Sequence, residues 1–392
     1  MSAKRKEHSL TGRITPSLML QSFKAVKKNR GAAGIDKVSI GMFETNLDEN
    51  LHALMRDLKT GQFEPCPLRR VYIRESAKKI RPLGIPAVRD RVAQEVVRRL
   101  LSPIFERLFH ENSYGFIRKR NCHQAVERVL ELYRLGFKNV LDADIKGFFD
   151  NLLHKVIRTA VAAEVADGNI LRLVERFLTS GVMEDGVFKP TTVGTPQGGV
   201  ISPLLANIVL NHLDWQLQEH GYRFARYADD FVVLCRTKHQ AEEARDFIER
   251  VLRDELGLEL NAEKTKVTTF GKGFSFLGFE ISSRGVRMRR KSVEKLKAKV
   301  RELTVRHHNF DAEVIGKLNR VLRGTANYFV TAFSNCRWQY RQLDAWIRMR
   351  LRSMKFKRKS YNDNSRLRLK HFRRLGLLFL QDYCLERSCQ RA

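Results

Sequence analysis

The 392-residue sequence has no apolar run of membrane-spanning length, no Cys-x-x-Cys pair, no His-Glu-x-x-His cluster, no internal repeat and no low-complexity tract. The first absence excludes a helical membrane span, and the next two leave no zinc-binding spacing. Six cysteines, at 66, 122, 235, 336, 384 and 389, stand far apart. The basic N-terminus MSAKRKEHSL is followed by no apolar segment of a secretory signal, so a cytoplasmic chain with reduced, mostly buried thiols is expected. Eleven histidines form no ligand pattern, and His307-His308 reads as a solvated helix surface. Acid is scarce as well, with 43 Asp and Glu against 73 Lys and Arg.

What is present begins with that charge. A formal net charge of +30 calls for a polyanionic partner, and 28 Lys and Arg against 8 Asp and Glu from residue 286 onward place +20 of it at the C-terminal end. Nucleic acid is the first expectation; a ribosomal-type RNA binder or a protein of anionic membrane surfaces carries the same imbalance. Hydrophobic content of 43% excludes global disorder and supplies core for two or three domains.

Periodicity predicts helices over 16–30, 39–58, 89–109, 122–135, 153–180 and 203–220. Alternation predicts a hairpin from Leu68–Ile73 and Arg81–Pro86, a strand at Val140–Ile145, and two strands, Phe224–Tyr227 and Phe231–Cys235, meeting at a tight turn. A short hairpin is expected around Phe276–Phe279, then basic helical sequence, with a boundary near Ser283-Arg284-Gly285 where the composition turns basic.

Two acidic clusters carry the chemistry: Asp144 at the end of an apolar strand, and Asp229-Asp230 at a hairpin tip. Separately each is ordinary, since Asp caps helices and shapes turns. Together they suit displacement at phosphorus, where two cations about 4 Å apart are bridged by hard carboxylate oxygens that select magnesium over zinc.

Three motifs in order, Asp144-Ile145-Lys146-Gly147-Phe148-Phe149-Asp150, Gly194-Thr195-Pro196-Gln197-Gly198-Gly199-Val200-Ile201-Ser202-Pro203 and Tyr227-Ala228-Asp229-Asp230, resemble the palm motifs of group II intron-type reverse transcriptases. Flanking segments extend the likeness, among them Leu322-Arg323-Gly324-Thr325-Ala326-Asn327-Tyr328-Phe329, which resembles the family's thumb or maturase region. The resemblance implies an α+β right-hand polymerase fold. Fingers would cover about 1–138, an antiparallel palm sheet about 139–285, and a basic helical thumb or maturase-like domain 286–392.

It implies further that Asp144, the backbone of Ile145, Asp229 and Asp230 hold two Mg2+ ions, with Mn2+ as a substitute. Phe149 resembles the family's gate against a 2'-OH, and Gln197 its contact to the incoming nucleotide. Arg81 with Lys79 would grip the triphosphate, and Lys264 would protonate the leaving pyrophosphate. Tyr114, Phe116, Arg118 and Lys119 would stack on and pair with the template strand, which Gly198 and Gly199 would let approach closely. For several of these the plain alternatives are a core aromatic, a simple turn or a solvated lysine.

Expected partners are an RNA template with a DNA or RNA primer, dNTPs, and a structured intron or other cognate RNA, with no membrane. Two other roles fit the same motifs: an RNA-binding maturase in which polymerisation is secondary, and a domesticated relative serving phage defence, repair or a CRISPR locus. With no H-N-H nuclease cluster in the sequence, second-strand cutting by this chain is not expected.

Overall fold

The computed structural model describes residues 6–76, 79–195, 198–306 and 309–389, without the side chains of 74–76, 79, 81 and 385–389. His307-His308 therefore lies outside the described residues. The chain forms two compact units, one of residues up to 132 with 141–267, the other of 133–140 with 268–392. That division falls before the composition change, so the hairpin expected around Phe276–Phe279 goes with the basic helices.

Strands in chain order are β1 (Leu68–Ser76), β2 (Lys79–Ile85), β3 (Asn139–Asp144), β4 (Val182–Glu184), β5 (Val187–Lys189), β6 (Arg223–Tyr227), β7 (Asp230–Cys235), β8 (Lys266–Thr269), β9 (Phe274–Phe276), β10 (Phe279–Ser282) and β11 (Gly285–Met288). They make three sheets of order β2-β1-β4-β5, β6-β7-β3-β8 and β11-β10-β9. Helices are interleaved with these sheets along the chain; the β1–β2, β4–β5, β6–β7 and β9–β10–β11 pairs are antiparallel and β1 meets β4 in parallel, an α+β arrangement.

Two helices of the first unit, Val88–Phe105 and Ser202–Glu219, are buried on most of their surface. This explains the polar residues inside them: Gln94, Glu95, Asn207 and Asp214 are all buried, and each has a partner to satisfy. Gln94 Oε1 accepts from the Val200 amide at 2.7 Å, and Glu95 pairs with Arg98 and Arg99 at 2.7 Å each.

Two long predicted helices are broken. Residues 39–58 become Ile40–Thr45 and Leu47–Thr60, separated at Asn46, whose ψ of 51° leaves the helical region. Residues 153–180 become His154–Ala162 and Gly168–Thr179. There Asp167 caps the second helix and also accepts from the Thr11 amide and hydroxyl at 2.7 and 2.8 Å. A long-range bond thus fixes a cap that local periodicity does not reveal. The β4–β5 hairpin was not anticipated, although its turn residues, Asp185 (φ 51°) and Gly186 (φ 81°), have the chemistry of a two-residue turn.

The second unit is built on a separate core in which Leu296, Ile315, Leu322, Tyr340, Ile347 and Phe372 are buried. Its β9–β10 turn places Leu277 and Gly278 at φ 48° and 83°, and Tyr328 stacks on Phe279 while its hydroxyl donates to the Leu277 carbonyl at 2.8 Å. Among the described residues no helix is long and apolar enough to cross a membrane. The described cysteines are free thiols, with Cys235 and Cys336 buried. Burial pushes the Cys235 thiol up to about 12, which makes it unreactive.

Candidate active site

The pairing of β6 with β7 sets Tyr227 opposite Asp230 and leaves Ala228 and Asp229 as the two turn residues. Ala228 sits at φ +57°, a conformation that costs a residue with a Cβ. Beneath the turn lies a fully buried arginine. Arg226 donates Nε and Nη2 to the two oxygens of Asp214 at 2.7 and 2.5 Å, and Nη1 to Asn207 Oδ1 at 2.9 Å and to the Ala228 carbonyl at 2.8 Å. Asn207 in turn donates to the Gly115 carbonyl at 2.7 Å. One guanidinium thereby links the helix Ser202–Glu219, the 110–117 loop and the strained turn.

The 110–117 loop runs along the β6 edge. The Tyr114 amide donates to the Arg226 carbonyl at 2.8 Å, and the Arg226 amide to the Asn112 carbonyl at 2.9 Å. A Cβ on Gly115 would stand 2.3 Å from the Ala228 nitrogen, so only glycine permits this approach. Tyr114 is half-buried and packed, whereas Phe116, Arg118 and Lys119 are exposed. The Phe116 ring lies 6.3 Å from that of Tyr227, beside the acidic turn.

Strand β3 is the neighbour of β7 in the sheet and ends at Asp144. Backbone bonds hold that end: the Asn261 amide donates to the Asp144 carbonyl at 2.7 Å, and the buried Ile145 bridges Leu260. The Asp144 carboxylate takes the Lys264 ammonium at 2.6 and 3.1 Å. Asp142, two residues earlier on the same strand face, is pushed up to about 6 by burial first, then by the charges of Asp230 and Asp144, against the pull of Lys266. A negative potential is therefore concentrated at this sheet end.

Phe149 follows Gly147 (φ 53°) in the short helix Phe148–Asn151; it is half-buried and meets the Phe148 ring edge to face at 5.2 Å. Its carbonyl accepts from the Thr195 amide at 2.7 Å, which brings the Gly-rich loop against the aromatic pair. Farther along, Gly198 has φ +112°, and a Cβ there would lie 2.5 Å from the Gly84 carbonyl of β2. Gln197 is outside the described residues, and Lys79 and Arg81 lie on β2 with side chains outside the description. Gly199 continues the loop into the Val200 amide held by Gln94.

The donor set fits a hard divalent cation in kind: three carboxylates at neighbouring strand ends, with a fourth, Asp142, disfavoured as an anion first by its burial and then by Asp230 and Asp144. It is not a closed cage in this conformation. Among the described residues no group of three or more His, Cys, Asp or Glu side chains is close enough to hold a metal, and Asp144 is engaged by Lys264.

Arg226, Asp214, Asn207 and Asp142 were not foreseen. Their signal was available: Asn207 and Asp214 lie seven residues apart on one helix face among Leu204, Leu210 and Leu217, and Arg226 follows Phe224 and Ala225 in its strand.

An α+β fold whose antiparallel sheet gathers carboxylates at one end, beside a Gly-rich loop and an aromatic pair, is that of a nucleotide-polymerising enzyme. Residues 73–281 match the family described as reverse transcriptase (RNA-dependent DNA polymerase), and residues 293–375 match the group II intron, maturase-specific domain. The chain belongs to the reverse transcriptase family, as an RNA-directed DNA polymerase of the group II intron type.

It is 34% identical to Protein YkfC of Escherichia coli (strain K12) over 306 residues, 68% of this chain and 80% of that protein. To the group II intron-encoded protein LtrA of Lactococcus lactis subsp. cremoris it is 28% identical over 360 residues, 74% of this chain and 58% of that protein. A third relative, the retron Ec86 reverse transcriptase of Escherichia coli, is 28% identical over 158 residues, 39% of this chain and 45% of that protein. Family membership carries RNA-template binding and a general dependence on divalent metal ions.

Proposed function

We propose that Asp144, Asp229 and Asp230 are the catalytic carboxylates and that they hold two Mg2+ ions, for which Mn2+ substitutes. The observation that carries this is the sheet order, since β7 begins at Asp230 and lies beside β3, which ends at Asp144. The ions, when bound, activate the primer 3' oxygen and neutralise charge on the triphosphate. The chain's own residues do the rest. The backbone carbonyl of Ile145 would be a further oxygen ligand at the strand end. Phe149 forms the floor under the sugar and excludes a 2'-OH. As the new bond to the α-phosphorus forms and the bond to pyrophosphate breaks, Lys264 Nζ delivers a proton to the leaving group, having been held beforehand on Asp144.

Lys79, Arg81 and Gln197 contact the nucleotide in this reading. Phe116, beside the acidic turn, and the exposed Arg118 and Lys119 hold the template strand together with Tyr114, Gly198 and Gly199. Residues up to 285 act as fingers and palm, and the basic remainder as thumb. Asp229→Asn should abolish primer extension on an RNA template while leaving RNA affinity within about twofold. Retained extension would overturn the assignment.

A second activity rests on a separate observation. The maturase-specific match over 293–375 coincides with the +20 segment, which supports binding of a structured intron RNA and assistance to its splicing. Splicing of a cognate intron with the Asp229→Asn protein separates this role from polymerisation, because splicing should persist where extension is lost.

A further inference from the structure

The second unit contains a cavity of about 600 Å³ between the helix Arg337–Lys355 and the chain that follows it. Arg348, Arg352 and Lys359 contribute to its lining, with Met349, Asn364 and the ring of Tyr361, and among the described residues no acidic side chain lines it. The nearby carboxylates are already engaged. Asp344 accepts from the Leu380 and Gln381 amides at 3.0 Å each, and Asp363 is paired with Arg358 at 3.1 Å and Arg366 at 3.8 Å.

The two arginines are one helical turn apart and are held in place. Arg348 lies over the Phe379 ring at 5.7 Å, and Arg352 lies over Phe372 at 5.3 Å while its Nε donates to the Leu367 carbonyl at 2.9 Å. Burial lowers the pKa of both, and for Arg352 the charge of Arg348 lowers it further, so positive charge is concentrated here without full compensation. Tyr361 is the opposite kind of group, an aromatic side chain 84% exposed at the rim. Its environment gives no packing reason for an aromatic at that position.

Cations fixed at the wall, a thioether beside them and an open aromatic face make a site for a group that is anionic at one end and flat at the other. The volume suits one nucleotide and is too small for a duplex. We propose that this cavity takes a single unpaired nucleotide of a bound RNA, with its phosphate on Arg348, Arg352 and Lys359 and its base against Tyr361. This deepens the RNA-binding reading of the basic unit and rests on it. It makes the unit a reader of bulged or looped RNA, in which the nucleotide is already out of the stack, whereas fully paired RNA would have to be opened first.

The test uses the full chain and two hairpin RNAs that differ only by one bulged nucleotide. The parent should bind the bulged hairpin about 5- to 150-fold more tightly, the range expected for stacking one base on an aromatic ring. Tyr361→Ala should erase that preference, Tyr361→Phe should keep it, and Lys359→Ala should reduce it and flatten its salt dependence. Equal binding of both hairpins by the parent, or a preference that survives Tyr361→Ala, overturns the proposal. Primer extension on a paired primer-template is measured in parallel and should be unchanged by Tyr361→Ala. Failure of the cavity assignment is thereby distinguishable from failure of the polymerase assignment, which Asp229→Asn tests alone.

Discussion

Asp214→Ala probes the buried network under the acidic turn. Arg226 and Asp214 are both essentially inaccessible, with side chains 1% and 0% exposed, and their oxygens and nitrogens are matched pairwise. Removing the carboxylate leaves a guanidinium that water cannot reach, which costs about 3–5 kcal/mol. For a domain with a net stability of about 5–15 kcal/mol that is a large fraction. Trp215, adjacent to the mutated position and hydrogen-bonded to the Leu108 carbonyl at 3.2 Å, gives a fluorescence signal for urea unfolding of this unit in a Trp338→Phe, Trp346→Phe background.

The network should also matter for rate. Arg226 Nη1 supports the Ala228 carbonyl, so a loosened arginine lets the strained turn relax, and kcat for primer extension should fall by at least tenfold with little change in KM for primer-template. Arg226→Met with Asp214→Leu removes the charge altogether. Stability should largely return, because apolar replacements of a buried pair are well tolerated, but activity should not, because the Ala228 carbonyl has lost its donor. Full recovery of activity in the double variant would refute a positioning role. A destabilisation below about 1 kcal/mol in Asp214→Ala would refute the buried-pair energetics.

Three further outcomes follow from the site and its supports. Burial pushes Asp90 up to about 7, well above the unfolded value of about 3.9, although the Cys66 amide donates to it at 2.9 Å. Its contribution to stability is thus complete below pH about 4 and is lost as pH rises through about 7; of a total on the order of 4 kcal/mol, about 3 kcal/mol should be lost between urea titrations at pH 5 and 8, and Asp90→Asn should abolish that difference. Phe149→Val should raise incorporation of rNTPs relative to dNTPs by at least tenfold in single-turnover extension, and an unchanged ratio would remove Phe149 from the sugar gate. Gly115→Ala places a Cβ 2.3 Å from the Ala228 nitrogen, so extension should collapse and the unit should lose about 1–3 kcal/mol of stability in urea; wild-type rates would show the loop contact to be dispensable.

Much of this protein is legible without coordinates because the signals are local. The Arg81–Pro86 hairpin partner, the two strands flanking Tyr227-Ala228-Asp229-Asp230 and the helix after Pro203 follow from alternation, turn residues and apolar spacing, and the structure has them at β2, at β6–β7 and at Ser202–Glu219. The charge excess beyond residue 286 is a matter of counting, and the polymerase family is written in three short motifs.

What the sequence could not decide are the events that join distant segments. Periodicity cannot show that Asp167 would break a predicted helix, because the bond that fixes that cap comes from Thr11. Nor can it pair Lys264 with Asp144 across 120 positions, or match Arg226 to Asp214 and Asn207 instead of leaving three unrelated polar residues in apolar elements. Composition fixes how much charge and apolar surface a chain carries. Which buried charge meets which partner depends on distances of about 3 Å between segments far apart in the chain, and only the folded backbone sets those.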